Sequence, residues 1–111
     1  EAPHRAARPI AIRIPAAGVN ALVETKGIVD GELVAPSGPW VIAWYEQTAR
    51  PGETGNVVMS GHVDYWDVGP AVFASLGRLE IGAEIDVIDT QGTELRQMQR
   101  HQRRWCGRQS G

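Results

Sequence analysis

A chain of 111 residues suffices for one domain with its own core and is too short for two. Hydrophobic residues at 42% and charged ones at 22% exclude a disordered chain, and no apolar run approaches the length of a membrane span. The lone Cys106 excludes an intrachain disulfide, and the net charge of −2 hides a split between a long acidic part and a short basic one.

Residues 1–8 read as a leader with no periodicity, and Glu1 in place of a start methionine leads us to expect a missing N-terminal segment. Pro9-Ile10-Ala11-Ile12-Arg13-Ile14-Pro15 alternates apolar residues, the mark of a half-buried strand closed by Pro15. A second strand is expected over Val19-Asn20-Ala21-Leu22-Val23, after a turn at Gly18. Residues 27–38 read as loop, with Leu33-Val34 pairing briefly before Pro36. Trp40-Val41-Ile42-Ala43-Trp44-Tyr45 is β-branched and aromatic enough to prefer strand over helix. The turn-rich residues 50–56 cross the surface to Val57-Val58-Met59, apolar on both faces and expected to be a central strand.

Further on, Val72, Phe73, Leu76 and Leu79 share one side at helical spacing, so residues 71–79 predict a helical turn or two, ended by Gly82. Ile85-Asp86-Val87-Ile88-Asp89 is a strand, followed by a hairpin turn at Thr90-Gln91-Gly92. Short, regularly spaced strands with one small helix argue for a mostly β barrel or sandwich, with Trp40, Trp44, Tyr45 and Phe73 as core or rim packing.

From residue 94 the pattern changes. Arginine and glutamine dominate, valine, isoleucine and threonine are gone, and no strand is expected to continue there. Residues 94–111 carry Arg96, Arg100, Arg103, Arg104 and Arg108 against Glu94 alone. A solvated, unstructured end fits this better than a nucleic-acid site, because only Trp105 supplies an aromatic; no nucleic-acid partner is expected. The composition suggests a truncated tail or a change of coding frame.

The chemistry concentrates at Gly55-Asn56-Val57-Val58-Met59-Ser60-Gly61-His62-Val63-Asp64. An apolar strand runs into a small-residue kink, and a histidine follows. That pattern predicts an imidazole at the rim of a sheet, open to a ligand and suited to proton transfer or metal binding. The metal reading would pair His62 with Asp64, but no second ligand cluster accompanies them, and His4 and His101 lie in irregular segments. Asp64 is more simply a flanking or orienting group, and no metal or other cofactor is expected.

Taken together, these residues resemble the sortase family, nearest to the class E and class F enzymes of actinobacteria. The likeness is carried, in order, by Pro9–Pro15 with Gly18-Val19-Asn20-Ala21, by Trp44-Tyr45, by Pro51-Gly52-Glu53-Thr54-Gly55-Asn56-Val57-Val58, by Ser60-Gly61-His62-Val63-Asp64, and by Val72-Phe73 through Ile85-Asp86-Val87. It covers residues 9–93. The resemblance implies an eight-stranded β-barrel and a cysteine transpeptidase of the bacterial cell surface, akin to a hydrolase or cysteine protease in its first step. Such an enzyme cuts a Leu-Pro-x-Thr-Gly-like sorting signal and joins it to a peptidoglycan-precursor or pilin amine. It implies His62 as the acid/base residue. A membrane anchor is compatible with the family and is not present among these residues.

The family's nucleophile closes a Thr-Leu-x-Thr-Cys-like strand, with an arginine on the next strand. Cys106 instead follows Arg103-Arg104-Trp105 and precedes Gly107, with Arg108 two residues beyond it. Neighbouring arginines would lower its pKa from about 8.5, but no sequence feature holds it against His62. It is the one candidate nucleophile, with an incidental thiol as the simpler reading. The expected architecture is therefore a leader (1–8), an incomplete sortase-like closed β-barrel with one short helix (9–93) and an Arg/Gln-rich tail (94–111). Its activity is expected to be impaired, and the alternative is a non-catalytic β-rich remnant or peptide-binding module.

Overall fold

The computed structural model describes residues 6–76, 80 and 82–98. Its frame is the hairpin of β1 (Pro9–Ile14) and β2 (Val19–Lys26), joined by a 3-10 turn (Pro15–Ala17). Pro15 suits the first position of that turn, where its missing N–H is not needed. Gly18 closes it at φ 69°, donating its N–H to the Pro15 carbonyl at 3.1 Å. Period-two alternation along the hairpin puts Ile12, Ile14, Val19, Ala21 and Val23 into the core.

The alternation fails at one end. Ile10 is 41% exposed and Pro9 is buried. Pro9 pairs with Asp89 and Ala11 with Ile88, so two steps on β1 oppose one on its partner. This bulge turns Ile10 outward and Pro9 inward.

The chain then crosses over to β5 (Ile42–Tyr45), which lies parallel to β2 with Val23 opposite Ile42 and Lys26 opposite Tyr45. Parallel neighbours need a long connection. Residues 27–41 supply it, and they contain a small hairpin of β3 (Ile28–Val29) and β4 (Glu32–Leu33). Its turn, Asp30-Gly31, has positive φ at both residues (53° and 80°), as a tight two-residue hairpin demands. The stretch expected to be loop thus folds back on itself, and the Leu33 end does pair briefly.

All four residues of β5 are buried, and Trp44 and Tyr45 are among the largest fully buried side chains. Trp44 donates its indole N–H to the Ala49 carbonyl at 3.0 Å, satisfying its one polar atom. Trp40, expected as core or rim packing, is 59% exposed and so is no part of the core.

The two-sided apolar strand is β5 and not Val57-Val58-Met59. Those residues lead into β6 (Met59–Ser60), which pairs antiparallel with β5 at the end of the sheet, and Val57 is exposed. Hydrophobicity alone cannot separate a central strand from an edge strand backed by loops. Beyond β6 a separate hairpin forms from β7 (Asp64–Tyr65) and β8 (Gly69–Pro70). Within residues 71–76 the chain makes i→i+3 turns, Ala74 to Ala71 and Leu76 to Phe73. Phe73 is buried, and Val72 and Leu76 pack against the core, so the predicted face is right although the described part is tight turns. Leu79 lies outside the described residues.

β9 (Glu84–Asp89) pairs with β1, and β10 (Glu94–Met98) pairs with β9. Their turn is organised by buried Asp89, whose Oδ1 accepts the N–H groups of Gln91 and Thr93, both at 2.9 Å. The strand at Glu94–Met98 corrects the expectation that pairing ends at residue 93. A neighbouring edge and cross-strand charge pairs override the low β-propensity of its residues. The six strands run β10-β9-β1-β2-β5-β6. Among the described residues this sheet is open and does not close into a barrel. Over the described residues the fold is mostly β with almost no helix.

Candidate functional site

His62 stands two residues beyond β6, at the strand end where the sequence placed it, but its surroundings differ from the expected open rim. The residue is 5% exposed. It owes this position to Gly61. A Cβ built at Gly61 would come within 2.7 Å and 2.9 Å of the Phe73 ring and 3.0 Å of Val72 Cγ1. Only a residue without a side chain lets the strand end pass this close to the segment 71–73. That segment is then tied on, the Phe73 N–H donating to the His62 carbonyl at 3.0 Å and the Ala71 N–H to that of Val63 at 2.9 Å.

The imidazole is covered from two sides. Tyr65, on β7, meets it edge to face with ring centroids 5.0 Å apart and an interplanar angle of 80°. On the other side, His62 Nε2 lies 3.2 Å from the Pro36 carbonyl oxygen. A carbonyl can only accept, so the proton of this bond sits on Nε2. Nδ1 is buried and has no hydrogen-bond partner among the described residues. The ring therefore presents one nitrogen engaged as a donor and one free to accept, the arrangement of a base awaiting a proton.

The Pro36 carbonyl is held by its own chain. Ser37 bonds Glu24 of β2 twice, through its N–H at 2.7 Å and its hydroxyl at 2.8 Å. Partial burial pushes the Glu24 carboxyl up, but the two Ser37 bonds and the nearby Lys26 charge outweigh it and hold the group below its ordinary range. Tyr45 donates its hydroxyl to the Val34 carbonyl at 2.6 Å and contacts Ser60 Oγ at 2.7 Å, linking the same loop to β5 and to the strand that carries His62. Neither Pro36 nor Ser37 stands out in the sequence. The contact to the imidazole is a backbone carbonyl, which carries no residue-type signal.

Cys106 lies outside the described residues, as do His4, His101, Arg100, Arg103, Arg104, Trp105 and Arg108. Asp64, paired with His62 in the metal reading, is exposed on β7, whereas His62 is buried. Among the described residues no three of His, Cys, Asp and Glu gather as a metal site, and no helix is long and apolar enough to cross a membrane.

A search among curated proteins found no match. A family model, that of the sortase domain, matches residues 12–103 and so takes in β2, β5, the strand end bearing His62, β9 and β10. With most of its length inside that match, the chain belongs to the sortase family.

Proposed function

We propose that this chain is a sortase-type cysteine transpeptidase domain, nearest to classes E and F, whose reaction is impaired in the chain as written. The reading rests on one observation: the sortase match spans the strand end at which His62 offers an Nδ1 with no partner among the described residues. In the reaction proposed, a thiol passes its proton to the histidine, and the resulting thiolate attacks the threonine carbonyl of a Leu-Pro-x-Thr-Gly-like signal. The Thr–Gly bond breaks, and the histidine gives a proton to the departing glycine amine. A peptidoglycan-precursor or pilin amine then displaces the thiolate and yields its proton to the histidine. The work belongs at the outer face of a bacterial cell membrane.

Two observations support impairment. Cys106, the sole thiol, is flanked by Arg103-Arg104-Trp105 and Gly107 instead of a Thr-Leu-x-Thr run. His62 is nearly inaccessible, with the Pro36 carbonyl and the Tyr65 ring against its imidazole. This burial also favours the second reading, a β-rich domain that binds a peptide without cutting it.

The test is a fluorogenic sorting-signal peptide with an acceptor amine, run on the wild type, Cys106→Ala and His62→Gln. No turnover is expected from any of them. Turnover abolished by both substitutions would restore full activity to the chain, and turnover surviving both would remove it from the transpeptidase class. Fluorescence anisotropy of the uncleaved peptide separates a binding module from a silent remnant. Translating the DNA beyond codon 93 in every forward frame tests the altered tail, through the presence or absence of a Thr-Leu-x-Thr-Cys-like stretch.

A further inference from the structure

Residues 34–39 meet His62 through the Pro36 carbonyl and are tethered on both sides of it. The Val34 N–H donates to the Gly27 carbonyl at 3.1 Å, and the Val34 carbonyl accepts the Tyr45 hydroxyl at 2.6 Å. Ser37 is held by both carboxylate oxygens of Glu24, and the Pro39 carbonyl accepts the Val72 N–H at 2.9 Å. The Pro36 carbonyl, between these tethers, faces His62 Nε2.

We infer that Glu24 and Ser37 are positioning residues for His62, holding residues 34–39 as a strap whose Pro36 carbonyl keeps the ring proton on Nε2 and leaves Nδ1 as the free base. The catalytic meaning of this device rests on the acid/base reading of His62, but the tautomer itself does not. A neutral imidazole has one N–H, and among the described residues only Nε2 has an acceptor. A proton on Nδ1 would leave a buried donor unpaired and a carbonyl facing a lone pair. Tyr65 packs against the ring at 5.0 Å between centroids.

The Glu24–Ser37 pair is the strongest tether, because both bonds are short and the acceptor is ionised. It also joins the strap to β2, in the middle of the sheet. A reacting thiol or amine must then be served from the Nδ1 side, and freeing the strap would blur which nitrogen serves it.

The test is nitrogen NMR on protein labelled with ¹⁵N-histidine, at a pH where the imidazole is neutral. The chain has three histidines, and His62→Gln identifies the signal of interest. The wild type should show His62 with its proton on Nε2 alone. Glu24→Gln and Ser37→Ala should each raise the Nδ1–H share about tenfold. Ser37→Thr keeps both donors and should restore the single tautomer, while Glu32→Gln, on exposed β4, should change nothing.

Dispersed amide spectra verify folding, and if Glu24→Gln unfolds, Ser37→Ala at its exposed site decides alone. An unchanged tautomer in folded Ser37→Ala, or a wild type carrying its proton on Nδ1, overturns the inference. Both results are read without turnover, so a peptide assay that fails leaves this conclusion standing, and the reverse also holds.

Discussion

Arg96 and Asp86 face each other across β10 and β9 and are joined by a hydrogen bond of 3.0 Å from the arginine Nε to a carboxylate oxygen. Asp86 is buried, while Arg96 is largely exposed and also reaches Glu84 at 3.6 Å. The hydrogen bond to Asp86, then the charges of Asp86 and Glu84, hold the guanidinium above its ordinary range. Arg13 extends the row: it lies opposite Asp86 on the other side of β9 and pairs with Glu94. Opposite charges thus alternate across three strands, and an arginine-rich segment can stay in the sheet.

Arg96→Ala should therefore loosen β10 selectively. Hydrogen–deuterium exchange should rise over residues 84–88 and 94–98 and stay low over β2 and β5. Asp86→Asn with Arg96→Gln, which removes both charges and keeps hydrogen-bonding groups, should recover part of the protection. Uniform exchange in Arg96→Ala would show that the pair does not anchor the strand.

Gly61→Ala should be among the most disruptive small substitutions. The added methyl would come within 2.7 Å of the Phe73 ring, which is buried in the core. Such overpacking costs about 1–3 kcal/mol and should lower the melting temperature while shifting the His62 ring signals. Pairing it with Phe73→Leu should recover stability, and a Gly61→Ala variant as stable as the wild type would contradict the close approach.

Glu24 predicts a pH dependence with a definite sign. Its carboxyl is held below the ordinary value of 4.5 in the folded chain, so it binds fewer protons than the unfolded chain near that pH. Its stabilising share is complete above 4.5 and disappears as the pH falls through the lowered folded value. Wild type and Glu24→Gln should differ in melting temperature by a constant few degrees from neutral pH down to about 5 and converge in stronger acid. A gap that widens on acidification would reverse the sign.

The bulge at Ile10 separates two residues that the sequence pattern treats alike. Ile12→Ala should cost about 2–5 kcal/mol, because the side chain is buried in the core. Ile10→Ala should change stability by no more than about 0.5 kcal/mol, as exposed positions do. Denaturant melts compare them directly, and equal losses would place Ile10 in the core.

Much of this protein can be read from residue order. Alternation from Ile12 to Val23, the β-branched and aromatic run at Ile42–Tyr45 and the turn residues between strands are local signals, and they gave mostly β structure with His62 at a strand end. What the tertiary structure decided depends on partners far apart in the chain. β5 lies inside the sheet and β6 at its edge because of the crossover through residues 27–41. Ile10 points outward because Asp89 and Ile88 set the register against it. β10 persists because Asp86 and Arg13 meet its charges. His62 is enclosed because a carboxylate on β2 draws Ser37 down and brings a carbonyl with it. Period and composition reveal which residues can be buried, but only pairing between distant segments determines which of them are and which atom each buried polar group meets.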